Sequence, residues 1–283
     1  MDFEITYEYT PEQQEFRKGV AAWLEGNAPK RQSLDDDEPD DPQTAEEAAT
    51  RLAENQALFR KLGEKGWFAP TVPKELGGGG LTPQHAVVIN EELGKRRLPT
   101  GGPGILAPAI MVHGTEEQKE RFVVPWMQGA LHVWEVFTEP EAGSDLASLK
   151  TRGVRDGDEW VINGSKQFIS GDGRPEWLFT LVNTNPEAPR HENLSLFMIK
   201  SDSPGVTIQN MDLIVREFAR PQHFIFFDNV RVPGDNLIGQ QGKGWALANT
   251  TLELEHGGSG SVGGGAGGRG GIVGRVIEYL KTS

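Results

Sequence analysis

Trp134-Glu135-Val136-Phe137-Thr138-Glu139-Pro140-Glu141-Ala142-Gly143-Ser144-Asp145 marks the place where the pattern of this 283-residue chain changes. Before it, polar caps introduce segments with apolar residues at helical spacing. After it, short β-branched and aromatic runs alternate with turn residues. The stretch itself reads as a strand end running into a Pro/Gly turn. Its backbone N–H groups and the Thr138 and Ser144 hydroxyls are placed to ligate something electron-rich. Taken alone, that chemistry fits an ordinary sheet-edge turn as well as a ligand loop.

Upstream, Thr10-Pro11-Glu12-Gln13 combines a capping hydroxyl, a proline at the first helical position and a glutamine three residues after the cap. Phe16, Val20, Trp23 and Leu24 then share one helical face. Thr44-Ala45-Glu46-Glu47 repeats the signal ahead of Leu52, Phe59 and Leu62, and Gly63 and Gly66 end that segment. Thr82-Pro83 opens a third helix through Val87, Val88 and Leu93, closed by Gly94. Thr115-Glu116-Glu117-Gln118 opens a fourth, leading to Phe122. An all-helical N-terminal domain over residues 1–131 is expected. The acidic run within residues 33–42 reads as a solvated inter-helix loop, since it lacks the glycine turn and spaced ligands of a calcium loop.

Downstream, Trp160-Val161-Ile162, Phe168-Ile169, Trp177-Leu178-Phe179-Thr180-Leu181-Val182, Leu194-Ser195-Leu196-Phe197-Met198-Ile199 and His223-Phe224-Ile225-Phe226-Phe227 read as strands. Asp156-Gly157, Asn163-Gly164 and Gly171-Asp172-Gly173 read as the turns between them. This spacing predicts an antiparallel, barrel-like β middle domain over residues 132–236. Trp245, Ala248, Leu252 and Glu255 restore a helical period, so residues 237–283 are expected to begin a C-terminal helical domain. The fold class is therefore α+β and multidomain. Residues 257–274 are more than half glycine. They fit a flexible tail, or a helix bare enough for very close packing.

Lys and Arg total 28 against 41 Asp and Glu, a net charge of −13. Such a chain is a poor nonspecific partner for nucleic acid or anionic lipid. There is no cysteine, hence no disulfide framework, thiolate nucleophile or Cys-ligated metal. Apolar runs are a few residues long, far below the ~20 of a membrane span. The acidic N-terminus has no basic region followed by an apolar stretch, so no signal peptide and a cytoplasmic location are expected. The glycines from Gly263 to Gly268 satisfy GxGxxG, but with a helical pattern before them and no acidic residue about 20 positions further on they do not predict a dinucleotide site. The six histidines show no HxxxH or HExxH spacing, so no metal is expected. No GxSxG elbow or GxxxxGK[ST] loop is present.

Thr138-Glu139-Pro140-Glu141-Ala142-Gly143-Ser144-Asp145 resembles the TEPxAGSD signature of the acyl-CoA dehydrogenase family. The resemblance continues in order on both sides. Upstream it includes Pro73-Lys74-Glu75-Leu76-Gly77-Gly78, Glu91-Glu92-Leu93-Gly94 and His113-Gly114-Thr115-Glu116-Glu117-Gln118-Lys119. Downstream it includes Ile162-Asn163-Gly164-Ser165-Lys166-Gln167-Phe168-Ile169-Ser170, Asp228-Asn229-Val230-Arg231-Val232-Pro233 and Gly242-Lys243-Gly244-Trp245. The family's helical N-terminal and β middle domains agree with the order read above.

The resemblance implies FAD as cofactor. The backbone from Val136 and Phe137 through Gly143 to Ser144, with the Thr138 hydroxyl, would face the flavin. Phe168, Ile169 and Ser170 would form its second wall, with Phe168 where the family usually has tryptophan. The implied reaction is α,β-dehydrogenation of an acyl-CoA to the trans-2-enoyl-CoA, with electrons passed to an electron-transfer flavoprotein. Leu252-Glu253-Leu254-Glu255-His256 resembles a segment of the isovaleryl-CoA dehydrogenase branch, which implies Glu255 as the base; most other branches place the base later, in the C-terminal domain. Ser144, Glu253 and His256 are then implied acyl-CoA contacts; His256 stands where arginine is usual. The family continues with a helical bundle of about a hundred residues. This chain is therefore expected to be a truncated copy, a fragment, or a subunit completed as a homo-oligomer or by a second acyl-CoA dehydrogenase subunit. A non-catalytic partner subunit, a superfamily flavin oxidase or monooxygenase, and a binding module without flavin are the competing readings.

Overall fold

A computed structural model describes residues 9–30, 42, 44–100, 102, 104–214 and 221–256, with side chains as far as residue 253. The acidic run at 35–41, the glycine-rich tract at 257–274 and the segment 275–280 lie outside the described residues.

The capping boxes form as their spacing predicts. The Thr10 hydroxyl accepts from the Gln13 N–H at 3.3 Å and the Gln13 side chain accepts from the Thr10 N–H at 2.9 Å, opening α1 (Pro11–Asn27). Thr44 caps α2 (Ala45–Glu64) through the Glu47 N–H at 3.2 Å, and Pro83 opens α3 (Pro83–Gly94). Their inward faces meet in one core of Val20, Leu24, Leu58, Leu62, Phe68, Ile89, Leu93 and Leu98. A short helix not read from the sequence, α4 (Ala107–His113), follows. The fourth predicted helix is broken into α5 (Glu116–Gln118), a wide π-turn at Lys119–Val123, and α6 (Val124–Met127). Pro125 explains the break. It has no N–H for the Arg121 carbonyl, and the chain widens so that the Val124 N–H reaches back to Lys119 instead.

Among the described residues eight strands form one sheet: β1 (Val133–Val136), β2 (Arg152–Asp156), β3 (Glu159–Ser170), β4 (Trp177–Asn183), β5 (Leu194–Lys200), β6 (Val206–Asn210), β7 (Gln222–Pro233) and β8 (Leu237–Ile238). The path runs β6-β7-β3-β2-β4-β5-β8, with β1 beside β4. Most pairs are antiparallel as expected, but β1 and β2 both run parallel to β4. The β2–β3 hairpin lies between β1 and β4 in the chain, giving the length that a parallel return needs. The path ends at β6 and β8 without closing among the described residues.

Asn163-Gly164 is not a turn but lies inside the twelve-residue β3, so the runs at Trp160 and Phe168 belong to one strand. Gly164 is needed there because an added Cβ would sit 2.5 Å from the Thr151 hydroxyl oxygen. β4 and β5 are buried on both faces, which explains their unbroken apolar runs. Leu178, Val182, Phe197 and Ile199 face a core closed by Trp134, Trp160 and the strands β3 and β7. Phe179, Leu181, Leu196 and Met198 face a second core with Ile110, Phe122, Trp126 and, from α7 (Gly244–His256), Leu247 and Ala248. Gln118 ties the helices to the sheet: its amide N–H donates to Leu237 O at 2.6 Å and its oxygen accepts from the Gly239 N–H at 3.1 Å.

Candidate functional site

The sheet is split beside β4, and the candidate loop comes out of the split. β1 covers β4 as far as Thr180, and β2 rejoins it only at Asn183. Leu181 falls in the gap, and residues 137–150 leave the sheet there. Backbone carbonyls at such a split lose their ladder partners and need others. Lys166 of β3, fully buried, supplies them. Its ammonium donates to Phe137 O at 3.0 Å, Leu181 O at 2.8 Å and Glu139 Oε1 at 2.8 Å. Three donors meet three acceptors, so the charged form of lysine is satisfied. Glu139 also accepts the backbone N–H groups of Lys150 at 2.6 Å and Thr151 at 2.9 Å. One carboxylate thus gathers both ends of the loop onto the β3 lysine.

Burial pushes the Glu139 carboxyl up, but the Lys166 charge and these hydrogen bonds outweigh it and hold the group below its ordinary value. Burial presses Lys166 down to about 8, with Glu139 working in the opposite direction. The full set of acceptors around the ammonium and of N–H donors around the carboxylate fits the charged pair.

The loop is closed tightly after this clasp. Glu139 and Ala142 exchange backbone hydrogen bonds at 2.9 and 3.2 Å. Gly143 and Ser144 are exposed beyond the turn, and Asp145 pairs with Arg190. Gln167 stitches the loop to β3, its backbone N–H donating to Thr138 O at 3.0 Å.

At this stitch β3 carries a bulge. Lys166 pairs with Ile225 and Ile169 with His223, so β3 advances three residues while β7 advances two. The extra residue reverses the inward–outward alternation. Ile162, Lys166 and Ile169 all point inward, and Phe168 is turned out, half-exposed at 52%, with φ +56°. A left-handed aromatic residue costs roughly 1–2 kcal/mol, and such strain collects at functional positions. Ser170 is exposed two residues further on.

The structure thus brings Thr138, Gly143 and Ser144 of the loop onto the same clasped unit as Phe168 and Ser170. Val136, Phe137 and Ile169 send their side chains into the cores, leaving only their backbone to a ligand. Glu253 is exposed on α7. Glu255 and His256 belong to the same helix, but their side chains lie outside the described ones. Sequence reading missed Glu139 and Lys166 as organisers of the site. The available signal was a lysine at an inward position between Ile162 and Ile169. Among the described residues no group of three or more His, Asp or Glu is placed to hold a metal, and no helix is long and apolar enough to cross a membrane.

These residues fit a flavin. An aromatic face turned to solvent against backbone preference, beside two hydroxyls and a rigid loop, matches a flat heteroaromatic ring with polar edges.

Comparison with known proteins points the same way. Residues 10–130 match the acyl-CoA dehydrogenase N-terminal domain and residues 135–230 the acyl-CoA dehydrogenase middle domain. Acyl-CoA dehydrogenase FadE29 of Mycobacterium tuberculosis (strain ATCC 25618 / H37Rv) is 33% identical over 202 residues, 71% of this chain and 52% of that protein. The Tcur3481-Tcur3483 steroid ACAD structure superposes with a TM-score of 0.70 at 28% identity, covering 100% of this chain and 67% of that one. The ChsE4-ChsE5 complex from Mycobacterium tuberculosis gives 0.65 at 28% identity, covering 88% and 61%. The chain spans about half the length of curated relatives such as FadE29. With its helical and β portions both matched in order, and the signature loop clasped as described, the chain belongs to the acyl-CoA dehydrogenase family.

Proposed function

We propose that this chain takes part in FAD-dependent α,β-dehydrogenation of an acyl-CoA thioester, giving the trans-2-enoyl-CoA. The observation that carries the reading is Phe168, turned out at a strained bulge and clasped through Lys166 and Glu139 to the loop bearing Thr138 and Ser144. When bound, FAD supplies the acceptor for the hydride lost from the β-carbon. Phe168 offers its face to the ring system, and Thr138 and Ser170 offer hydroxyls to its polar edge. The backbone of Val136, Phe137, Gly143 and Ile169 completes the two walls. Ser144, Glu253 and His256 are assigned to the acyl-CoA.

Glu255 is the proposed base and takes the α-proton. That proton is weakly acidic, so the carboxylate works best in a dry pocket that raises its pKa toward working pH. Electrons leave to an electron-transfer flavoprotein, in the cytoplasm, from an oligomer. A panel of acyl-CoAs added anaerobically to the purified chain tests this through the visible spectrum. Bleaching of a bound flavin by one thioester, lost in Glu255→Gln, is expected. A chain that stays colourless with added FAD would sink the reading.

A second reading, a partner subunit of a heteromeric acyl-CoA dehydrogenase, is favoured by the two-protein names of the Tcur3481-Tcur3483 and ChsE4-ChsE5 structures. Flavin binding that needs a co-expressed second chain, with a rate indifferent to Glu255→Gln, would select it.

A further inference from the structure

The strand that carries Phe168 and Ser170 rests on a hydrogen-bond relay outside the clasp. Trp134 of β1 donates its indole N–H to His132 Nε2 at 3.2 Å. An indole nitrogen only donates, so His132 Nε2 must hold a lone pair and the ring proton must sit on Nδ1. His132 Nδ1 lies 3.3 Å from the Gln56 side-chain amide of α2. The amide nitrogen, Nε2, is the nearer atom there; with the proton on Nδ1 the amide must turn over so that its oxygen accepts. His132 is thus neutral, and a second proton would set its Nε2–H against the indole N–H.

The Trp134 ring is wedged under the strand. It packs 4.4 Å from the His223 ring, and His223 Nδ1 contacts Ile169 O at 3.4 Å. Gly171 lies so close that an added Cβ would be 2.2 Å from the indole nitrogen.

Resting on the flavin reading above, we infer that Trp134, held by His132, is a positioning residue for residues 168–171. It makes flavin retention depend on a neutral His132. The groups facing His132 are Gln56 of α2, Asp172, Arg174 and Glu176 of the β3–β4 connection, and Trp134, with His223 beyond it. Burial holds His132 below its ordinary value, with Glu176, Asp172 and a hydrogen bond to the Arg174 backbone acting in the opposite direction. A cleft of about 520 Å³ lined by Arg51, Gln56, Asp172, Gly173 and His223 reaches the two ends of the relay, Gln56 and His223.

The test is FAD affinity of the full chain from pH 8 to pH 5.5, by quenching of FAD fluorescence, for wild type, Trp134→Phe and His132→Gln. Wild-type affinity is expected to fall about three- to tenfold as pH drops, the worth of one hydrogen bond. Trp134→Phe should be weakened by that factor at pH 8 and flat below it. His132→Gln keeps an acceptor for the indole but does not titrate, so it should hold its affinity across the range. A flat wild-type profile, or Trp134→Phe behaving as wild type, overturns the inference. If wild type binds no FAD at any pH, the flavin reading fails separately, and hydrogen exchange of the 168–171 amides decides. Protection lost at pH 5.5 in wild type but kept in His132→Gln supports the positioning role. Equal protection in both overturns it.

Discussion

The central strands β4 and β5 and the bulged end of β3 solve opposite problems with the same backbone. β4 and β5 pair without a register shift over seven residues and are apolar on both faces. The end of β3 has a bulge, a left-handed aromatic, a buried ammonium and an exposed ring. Along the seam between β4 and β5, regular pairing satisfies the facing backbone groups locally, so apolar side chains suffice. A split satisfies them only with a charged donor brought from another strand, and that charge then needs its own partner. The irregular region is therefore costly to build and held by few residues, and its reward is an outward-facing wall.

Breaking either region should cost a similar amount by different physics. Phe179→Ala, which empties a fully buried aromatic site on β4, is expected to lose about 3–5 kcal/mol in urea unfolding. Lys166→Met should lose a comparable ~3–5 kcal/mol because Glu139 is left buried without its counter-charge. The sharper experiment is Glu139→Leu with Lys166→Met. If the pair serves alignment rather than stability, the double variant recovers much of the loss yet still binds FAD poorly. Recovery of both would reduce the clasp to a packing feature.

A smaller effect is expected from Gly171→Ala. The new methyl must displace the Trp134 ring, at about 1–3 kcal/mol, and thermal melts would read it. The same substitution at Gly143, where nothing lies within 4 Å of an added Cβ, is the control.

Acid should separate the regions as well. Glu139 is held below its ordinary value of 4.5, so its contribution is present above that pH and lost as pH falls through the folded value. Glu139→Leu/Lys166→Met should show a flatter fall of urea stability between pH 5 and pH 3 than wild type. Identical slopes would mean that other carboxylates dominate.

The smallest effect has the opposite sign. Phe168→Gly removes the left-handed strain and should leave stability unchanged or raise it by up to ~1 kcal/mol, while weakening FAD binding. A clear loss of stability would mean that the Phe168 ring supports the fold.

Much of this molecule was legible before its shape was known. The caps at Thr10, Thr44 and Thr115 were readable because a hydroxyl three residues from its N–H partner is a local geometry. The motif from Thr138 to Asp145 was readable for the same reason, being one contiguous turn. Phe168 was found only through the flanking motif, since an aromatic in a strand is ordinarily core. The π-turn before Pro125 was missed although its cause is written in the chain, because the capping box upstream suggested an unbroken helix.

By itself, then, the sequence determined where helices begin, where the chain turns to strands, which family it resembles and which loop carries that family's signature. Each depends on residues close together in the chain. Only the tertiary structure decided that β1 and β2 run parallel to β4, that the sheet splits at Leu181, and that Lys166 reaches across it to Glu139, 27 residues away. It alone placed Trp134, His132 and Gln56 in one relay. A backbone carbonyl left unpaired by a split, or an indole in search of an acceptor, takes whatever donor or acceptor the packing brings. No local spacing encodes that choice.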